Sequence, residues 1–366
     1  MEFIATAAFG LEGLVKRELN RLGLEAQAEN GGARFSGSPA DAFRANLYLR
    51  TADRVLLLAG EGDVFSFEDL FQLTKSIPWE EYLPKNACFP VSGKCARSQL
   101  MSVRDCQAIV KKAIVERLKS KYHSAWFDES GPKYGVDVSI HGDHARLTLD
   151  TSGDALNRRG YRTWNGEAPL RETLAAALVM LSPWEKDQPL YDPCCGSGTL
   201  LIEAAFLRSH RAPGLTRSFA CEDWSLFPKS QMNQIRQEAQ ALYDPSLIGS
   251  VSGSDIDPTA IELCKRHIKQ AGLNGKITVV QKDLRDLVLS ASSPLFLLNP
   301  PYGERIGDRK SCEALYRDLR KLKDRHENSR MAVITAHTGF ERCFGQRAQQ
   351  KRRLYNGRLE CEFLIY

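Results

Sequence analysis

No apolar run in this 366-residue chain approaches the ~18 residues a membrane-spanning helix needs, and no low-complexity tract interrupts it. The N-terminus, Met1-Glu2-Phe3-Ile4-Ala5-Thr6, has neither the charged region nor the long apolar core of a signal peptide, so a cytoplasmic location is expected. CxxC pairs are absent: Cys88, Cys95, Cys106, Cys221, Cys264, Cys312, Cys343 and Cys361 are scattered, which disfavours zinc and disulfide frameworks. Cys194 and Cys195 are adjacent, a poor geometry for a shared disulfide, so all ten cysteines read as reduced thiols. His141 and His144 have no third ligand nearby and read as surface residues; no metal is expected. GxGxxG is also missing, and no Lys-Ser/Thr follows the glycines near residue 196, which disfavours dinucleotide and phosphate-loop enzymes.

What is present is the composition of a soluble globular protein, 43% hydrophobic and 26% charged, long enough for two or three domains. The formal net charge of +5 is uneven: residues 301–366 carry 15 Lys and Arg against 9 Asp and Glu, and the remainder is close to neutral. A basic C-terminal part is compatible with a nucleic-acid partner.

Residues 1–60 read as a small α+β unit: a strand Phe3–Ala7, an amphipathic helix with apolar positions 11, 14, 15, 19 and 22, a hairpin at Gly31-Gly32, a helix from Ala40 to Leu49 and a strand Arg54–Leu58. Residues 61–155 read as a second α+β unit with strands Cys88–Ser92, Val136–Ile140 and Ala145–Leu149, the last two joined by the hairpin loop His141-Gly142-Asp143-His144. Between strand and helix, Gly93 to Arg104 is basic and rich in hydroxyls and ends near a helix start, where backbone N–H groups favour phosphate; Lys94, Arg97 and Ser98 are the candidate contacts. Residues 156–188 form a linker and helix. They contain Asn157-Arg158-Arg159-Gly160-Tyr161-Arg162, four basic or aromatic positions around one glycine, then Pro169 and a helix from Arg171 to Leu181.

From residue 189 to 366 strands and helices alternate: strands at 189–191, 251–254, 277–280, 295–298 and 331–334, helices at 199–208, 258–271 and 312–325. That pattern implies an α/β fold with a parallel, doubly wound sheet. The segment Lys351–Tyr355, Asn356-Gly357, Arg358–Ile365 predicts a closing antiparallel strand pair. Ligands of such sheets bind beyond the carboxyl ends of the strands. Those ends carry Asp192-Pro193-Cys194-Cys195-Gly196-Ser197-Gly198-Thr199, then Asp255-Ile256-Asp257, then Asp283-Leu284, then Asn299-Pro300-Pro301-Tyr302. Two glycines let backbone N–H groups approach a ligand, and Asp192 suits an ammonium or sulfonium. Asp255 can accept two ribose hydroxyls, and Asp283 can accept from an adenine amino group. The rigid edge Asn299-Pro300 offers an amide oxygen and a carbonyl to an amino group, with Tyr302 to stack on its plane. Asp255 or Asp257 could equally serve as a helix N-cap before Pro258.

Residues 190–302 resemble the class I S-adenosylmethionine-dependent methyltransferases of the amino-methylating branch. Nearly the whole chain resembles the THUMP-domain guanine-N2 RNA methyltransferases, close to the large-subunit ribosomal RNA methyltransferase L group. The motifs that carry this are Asn157–Arg162 with Ala168-Pro-Leu-Arg-Glu-Thr-Leu174, Asp192–Thr199, Phe219-Ala-Cys-Glu-Asp-Trp224 and Asn299-Pro-Pro-Tyr-Gly-Glu-Arg305. The resemblance implies a Rossmann-like methyltransferase domain preceded by a ferredoxin-like unit and a THUMP RNA-binding domain, without the second methyltransferase domain fused in some enterobacterial relatives. It implies methyl transfer from S-adenosylmethionine to the exocyclic N2 amine of guanine in structured RNA, with 23S ribosomal RNA expected first and transfer RNA next. Catalytic roles fall on Asn299, Pro300 and Tyr302. Cofactor contacts fall on Asp192, Cys194, Gly196, Ser197, Gly198, Thr199, Asp255, Ile256, Asp257, Asp283, Leu284 and Asn299. RNA contacts fall on Lys94, Arg97, Ser98, Arg158, Arg159, Tyr161, Arg162 and Arg305. The alternative is an adenine-N6 nucleic-acid methyltransferase, which uses the same Asn-Pro-Pro-Tyr edge.

Overall fold

Ser38 and Ser66 each stand three residues ahead of an aspartate, and both pairs close capping boxes that start helices. The computed structural model describes residues 1–124, 126–162, 170–290, 293–302 and 309–366. Its first elements are β1 (Glu2–Thr6), α1 (Glu12–Arg21), β2 (Ala26–Glu29), β3 (Gly32–Ser36), α2 (Pro39–Tyr48), β4 (Arg54–Asp63), α3 (Phe67–Ser76), β5 (Val91–Ala96), α4 (Val103–Tyr122), β6 (Gly135–His141) and β7 (His144–Asp150). These strands make one sheet in the order β2-β3-β1-β4-β7-β6-β5, antiparallel except between β5 and β6. β4 pairs with β1 on one side and β7 on the other, so the division expected between residues 60 and 61 falls inside a strand. The strand expected at 88–92 begins instead at Val91, because Pro90 has no N–H to give the ladder, and it runs on through Lys94 to Ala96.

By its internal contacts the chain forms two units. One comprises Met1–Ala7, Val15–Leu156 and Ser218–Arg236; the other comprises Ala8–Leu14, Asn157–Arg217 and Gln237–Tyr366. Phe219 to Trp224, expected within the 189–366 domain, therefore belongs to the first unit. There the Trp224 ring stacks on Tyr134 at 4.5 Å and its indole N–H donates to the Lys133 carbonyl at 2.9 Å. Phe219 meets Phe43 edge-on at 5.7 Å.

Across β2, β3, β4 and β7 the first unit carries an ion network: Arg34 holds Glu61 through two 2.8 Å bonds, and Arg146 bridges Glu61 and Glu29. The Arg34 guanidinium is the main reason the Glu61 carboxyl titrates at about 2. Its unfolded value lies near 4.5. The stabilisation is thus complete above that value and is lost as pH falls towards about 2. Glu61→Gln is expected to flatten the fall in melting temperature across that acid window, measured by calorimetry.

The second unit holds α5 (Glu172–Leu181), β8 (Leu190–Asp192), α6 (Thr199–Arg208), part of α7 (Lys229–Leu242), β9 (Val251–Asp255), α8 (Pro258–Gln270), β10 (Thr278–Gln281), β11 (Leu295–Leu298), α9 (Arg309–Arg325), β12 (Arg330–Thr335), α10 (Phe340–Phe344), β13 (Gln350–Asn356) and β14 (Leu359–Ile365). Its sheet runs β10-β9-β8-β11-β12-β14-β13. The first five strands are parallel, and the β13–β14 pair is antiparallel, as the Asn356-Gly357 turn predicts. Ile261, Cys264 and Ile268 on α8 are buried as their spacing predicts; on α9 Leu319 and Leu322 are buried, with Cys312 and Tyr316, while Leu315 is only partly covered. The chain moves from β8 outward to β9 and β10, then crosses to β11 on the other side of β8. The ends of β8 and β11 therefore flank the topological switch point, where doubly wound sheets bind ligands. Among the described residues no helix is long and apolar enough to cross a membrane.

Candidate active site

Four strand ends meet on one edge of the second sheet. β8 ends at Asp192, 1% exposed, whose carboxylate accepts from the Cys194 N–H at 3.0 Å. Burial, more than the neighbouring Asp255 charge, pushes this carboxyl well above the usual range. The loop that follows is held by its backbone. The Cys195 N–H donates to the Ser254 carbonyl at 2.9 Å and the Gly198 N–H to the Cys195 carbonyl at 2.8 Å. Gly198 sits at φ +80°, and a Cβ there would stand 2.4 Å from the Cys264 sulfur, so the loop closes onto α8 only with glycine in place. The Ser197 carbonyl lies 3.0 Å from Nδ1 of His267, a buried α8 residue that the sequence reading missed. Ser197 Oγ lies 3.3 Å from the Thr199 hydroxyl at the start of α6.

β9 ends at Asp255. One carboxylate oxygen accepts from the Gly196 N–H at 2.9 Å and the other from the Asp257 N–H at 3.0 Å. Each oxygen retains a lone pair. Ile256 is 61% exposed, an unusual position for an isoleucine. The Asp257 carboxylate accepts from the Thr259 N–H at 2.8 Å and caps α8, so its side chain is accounted for by the helix start.

Beyond β10, Asp283 is not open. Both its oxygens accept from Arg285: the backbone N–H at 2.9 Å, Nε at 3.0 and 2.9 Å, and Nη2. The expected adenine acceptor is thus held by an exposed arginine side chain. The side chain of Leu284 is 5% exposed and packs into the apolar core with Leu287, Phe296 and Tyr316, which leaves its backbone for the expected cofactor contact.

β11 is buried along all four residues, and Pro300 is buried behind it, while Asn299 and Tyr302 are partly exposed. The Tyr316 hydroxyl, from α9, donates to the Pro301 carbonyl at 2.8 Å. That anchor was not legible beforehand; the α9 periodicity marks position 316 as core but says nothing of its hydroxyl. The Asn299 amide therefore leaves a backbone fixed on both sides.

The basic stretch at 157–162 is largely internal, which corrects the expected RNA contacts there. Arg159 and Glu203 are an almost wholly buried pair, with Nε 3.5 Å from Oε1, and the Tyr161 hydroxyl donates to the same oxygen at 2.9 Å. Arg162 pairs with Glu172 at 3.3 Å and donates to the Leu170 carbonyl at 2.9 Å. Of the expected contacts Arg158, Arg159, Tyr161 and Arg162, Arg158 alone is exposed. In the first unit Lys94 and Arg97 are exposed, and Ser98 accepts from the Leu100 N–H at 3.0 Å. Lys94 lines a cleft on the polar face of the first sheet, with Arg54, Lys133 and Arg146 but also Glu29, Asp137 and Asp150. Ala168, Pro169 and the end of the last motif, including the expected RNA contact Arg305, lie outside the described residues.

Comparison with known proteins matches three stretches of the chain. Residues 159–365 match the family described as RMKL-like, methyltransferase domain; residues 2–56 match the RlmL ferredoxin-like domain and residues 65–150 the THUMP domain. The chain is 41% identical over 367 residues to YpsC of Bacillus subtilis (strain 168), provisionally described as an RNA methyltransferase, covering 99% of this chain and 95% of that one. It is 34% identical to the ribosomal RNA large subunit methyltransferase K/L of Syntrophotalea carbinolica, covering all of this chain but only 53% of that protein. Among solved structures, SMU.472, provisionally described as a methyltransferase and complexed with SAH, superimposes with a TM-score of 0.96 at 38% identity, over 100% of this chain and 97% of that one. A protein of Listeria monocytogenes (str. 4b F2365), described as a predicted N6-adenine-specific DNA methylase, gives 0.95 at 43% identity, over 100% and 95%.

Proposed function

The chain belongs to the RMKL-like methyltransferases that carry ferredoxin-like and THUMP domains, enzymes that use S-adenosylmethionine on RNA, and on that premise we propose that it methylates the exocyclic N2 amine of a guanine in structured RNA, 23S ribosomal RNA first among the candidates. The observation that carries this reading is the Asn299-Pro300 edge at the switch point, fixed from behind by Tyr316.

The residues around that edge fit the cofactor. Asp192 is a buried acid whose ionised form a cationic amino acid end would favour, the Gly196–Gly198 turn leaves room for close approach, and Asp255 keeps a lone pair on each oxygen for a ribose. When bound, S-adenosylmethionine supplies an electrophilic methyl on a sulfonium. The guanine amine is a poor nucleophile, because its lone pair is delocalised into the ring. The Asn299 side-chain oxygen and the Pro300 carbonyl accept its two hydrogens, hold the nitrogen in line and favour positive charge on it as the bond forms. The methylated nitrogen is acidic and loses its proton without a strong base. Tyr302 stacks on the ring. The target base must leave its helix, at a cost of about a few kcal/mol, and the THUMP domain and exposed Lys94, Arg97 and Arg158 supply RNA contacts. The work is done in the cytoplasm, where ribosomal RNA is assembled.

The second reading, adenine-N6 methylation, draws support from the printed description of the Listeria structure. Transfer of labelled methyl to ribosomal RNA, transfer RNA and adenine- or guanine-containing DNA oligonucleotides separates the two; activity confined to adenine substrates overturns the guanine reading.

Arg285 competes with the cofactor for Asp283, and its side chain is exposed, so the pair is weak and displaceable. Arg285→Ala is expected to tighten S-adenosylhomocysteine binding by about 2- to 5-fold in calorimetry, while Asp283→Asn weakens it.

A further inference from the structure

Phe9 is 54% exposed, and among the described residues its ring contact is Tyr355, met edge-on at 5.6 Å. The chain takes trouble to put it there. Gly10 adopts φ +90° so close to β13 that a Cβ would stand 3.0 Å from the Arg353 carbonyl. Segment Ala8–Leu14 belongs to the second unit, unlike the residues on either side of it.

Strand register places this aromatic pair on the catalytic side. β12 ends at Thr335 opposite Glu362 of β14; β14 begins three residues earlier at Leu359, where the Gly357-Arg358 turn joins it to β13. At ~3.4 Å per residue the tip stands about 10 Å beyond the end of β12. That edge also carries Asn299, at the end of the neighbouring strand β11. β13 lies three strands from β11, or about 14 Å at ~4.8 Å per spacing. Towards the tip, residues 352–362 hold Arg352, Arg353 and Arg358 against Glu360 and Glu362, while Lys351, opposite Leu364, lies at the far end of the hairpin. Lys351 bonds Glu341, and Arg353 lies 3.8 Å from Glu360 at an exposed position; Arg352 and Arg358 are also exposed.

We propose that Phe9 and the β13–β14 tip form a side wall of the substrate site that holds unpaired RNA next to the target nucleotide. Phe9 stacks on a flanking base, and Arg353 and Arg358 take its phosphates. A flipped target leaves its neighbours partly unstacked, and an exposed aromatic with nearby cations is what such nucleotides bind. This rests on the reading of the second unit as an RNA methyltransferase.

The test measures methyl transfer to total ribosomal RNA from a strain lacking the protein, with S-adenosylhomocysteine binding followed by calorimetry. Phe9→Ala is expected to raise the KM for RNA by about 5- to 100-fold with kcat and cofactor affinity unchanged, and Phe9→Trp is expected to restore it. The double variant Arg353→Ala/Arg358→Ala is expected to lower the salt slope for binding a fluorescein-labelled single-stranded oligoribonucleotide by about 1.4. An active wild type with an unchanged KM in Phe9→Ala overturns the wall. So does a Phe9→Trp as impaired as alanine with weakened cofactor binding, and so does an unchanged salt slope. A wild type that transfers no methyl to RNA sinks the functional reading first, and the wall with it.

Discussion

Asn299→Ala is expected to lower the single-turnover methyl-transfer rate by about 10²- to 10³-fold, with S-adenosylhomocysteine affinity changed by less than about twofold. The reason lies in what surrounds the residue. β11 is buried along its length, Pro300 is buried, and the Pro301 carbonyl is held by Tyr316, so removing the amide should not move the backbone. In the proposed mechanism what is lost is one of two acceptors that fix a weakly nucleophilic amine and stabilise the charge it gains. Losing one acceptor costs rate, since its bond strengthens as charge develops, and costs little ground-state binding. Single-turnover kinetics at saturating cofactor and RNA isolates this step from product release. A variant with near-normal rates would show that the amine is aligned by something else.

Asp255→Ala is expected to do the opposite: to weaken S-adenosylhomocysteine binding by about 100-fold, roughly 3 kcal/mol, while leaving the rate at saturation nearly intact. The carboxylate holds the Gly196 N–H with one oxygen and the Asp257 N–H with the other, so it ties the glycine turn to the end of β9 before any ligand arrives. In the proposed reading its remaining lone pairs accept the ribose hydroxyls. Deletion therefore removes the direct acceptors and loosens the turn that shapes the site. Calorimetric titration reads both effects as affinity, and a change of less than about threefold would remove Asp255 from the cofactor site.

The strand ends that carry these two residues were legible in the sequence: Asn299 follows the apolar β11 and Asp255 ends β9 just before a helix, at positions where doubly wound sheets bind ligands. The antiparallel closure was legible from Asn356-Gly357 alone. Other features were hidden because their partners are remote in sequence. Asn157 to Arg162 reads as a basic, aromatic surface until Glu172 and Glu203 are brought against it, and burial then converts candidate RNA contacts into a closed ion network. Phe219 to Trp224 sits among methyltransferase elements along the chain, yet its rings pack on Phe43 and Tyr134 of the first unit. Arg285 lies two residues from Asp283, but a sequence does not say whether a neighbouring cation occupies a carboxylate or points away. Leu284 follows the same strand end as Asp283 and turns inward, where the core needs an apolar side chain.

The central claim is the identity of the methylated atom. Ribosomal RNA from a strain lacking the protein, incubated with the purified enzyme and isotopically labelled S-adenosylmethionine, digested to nucleosides and resolved by mass spectrometry, should place the label in N2-methylguanosine. Label in N6-methyladenosine, or none in RNA at all, would contradict it.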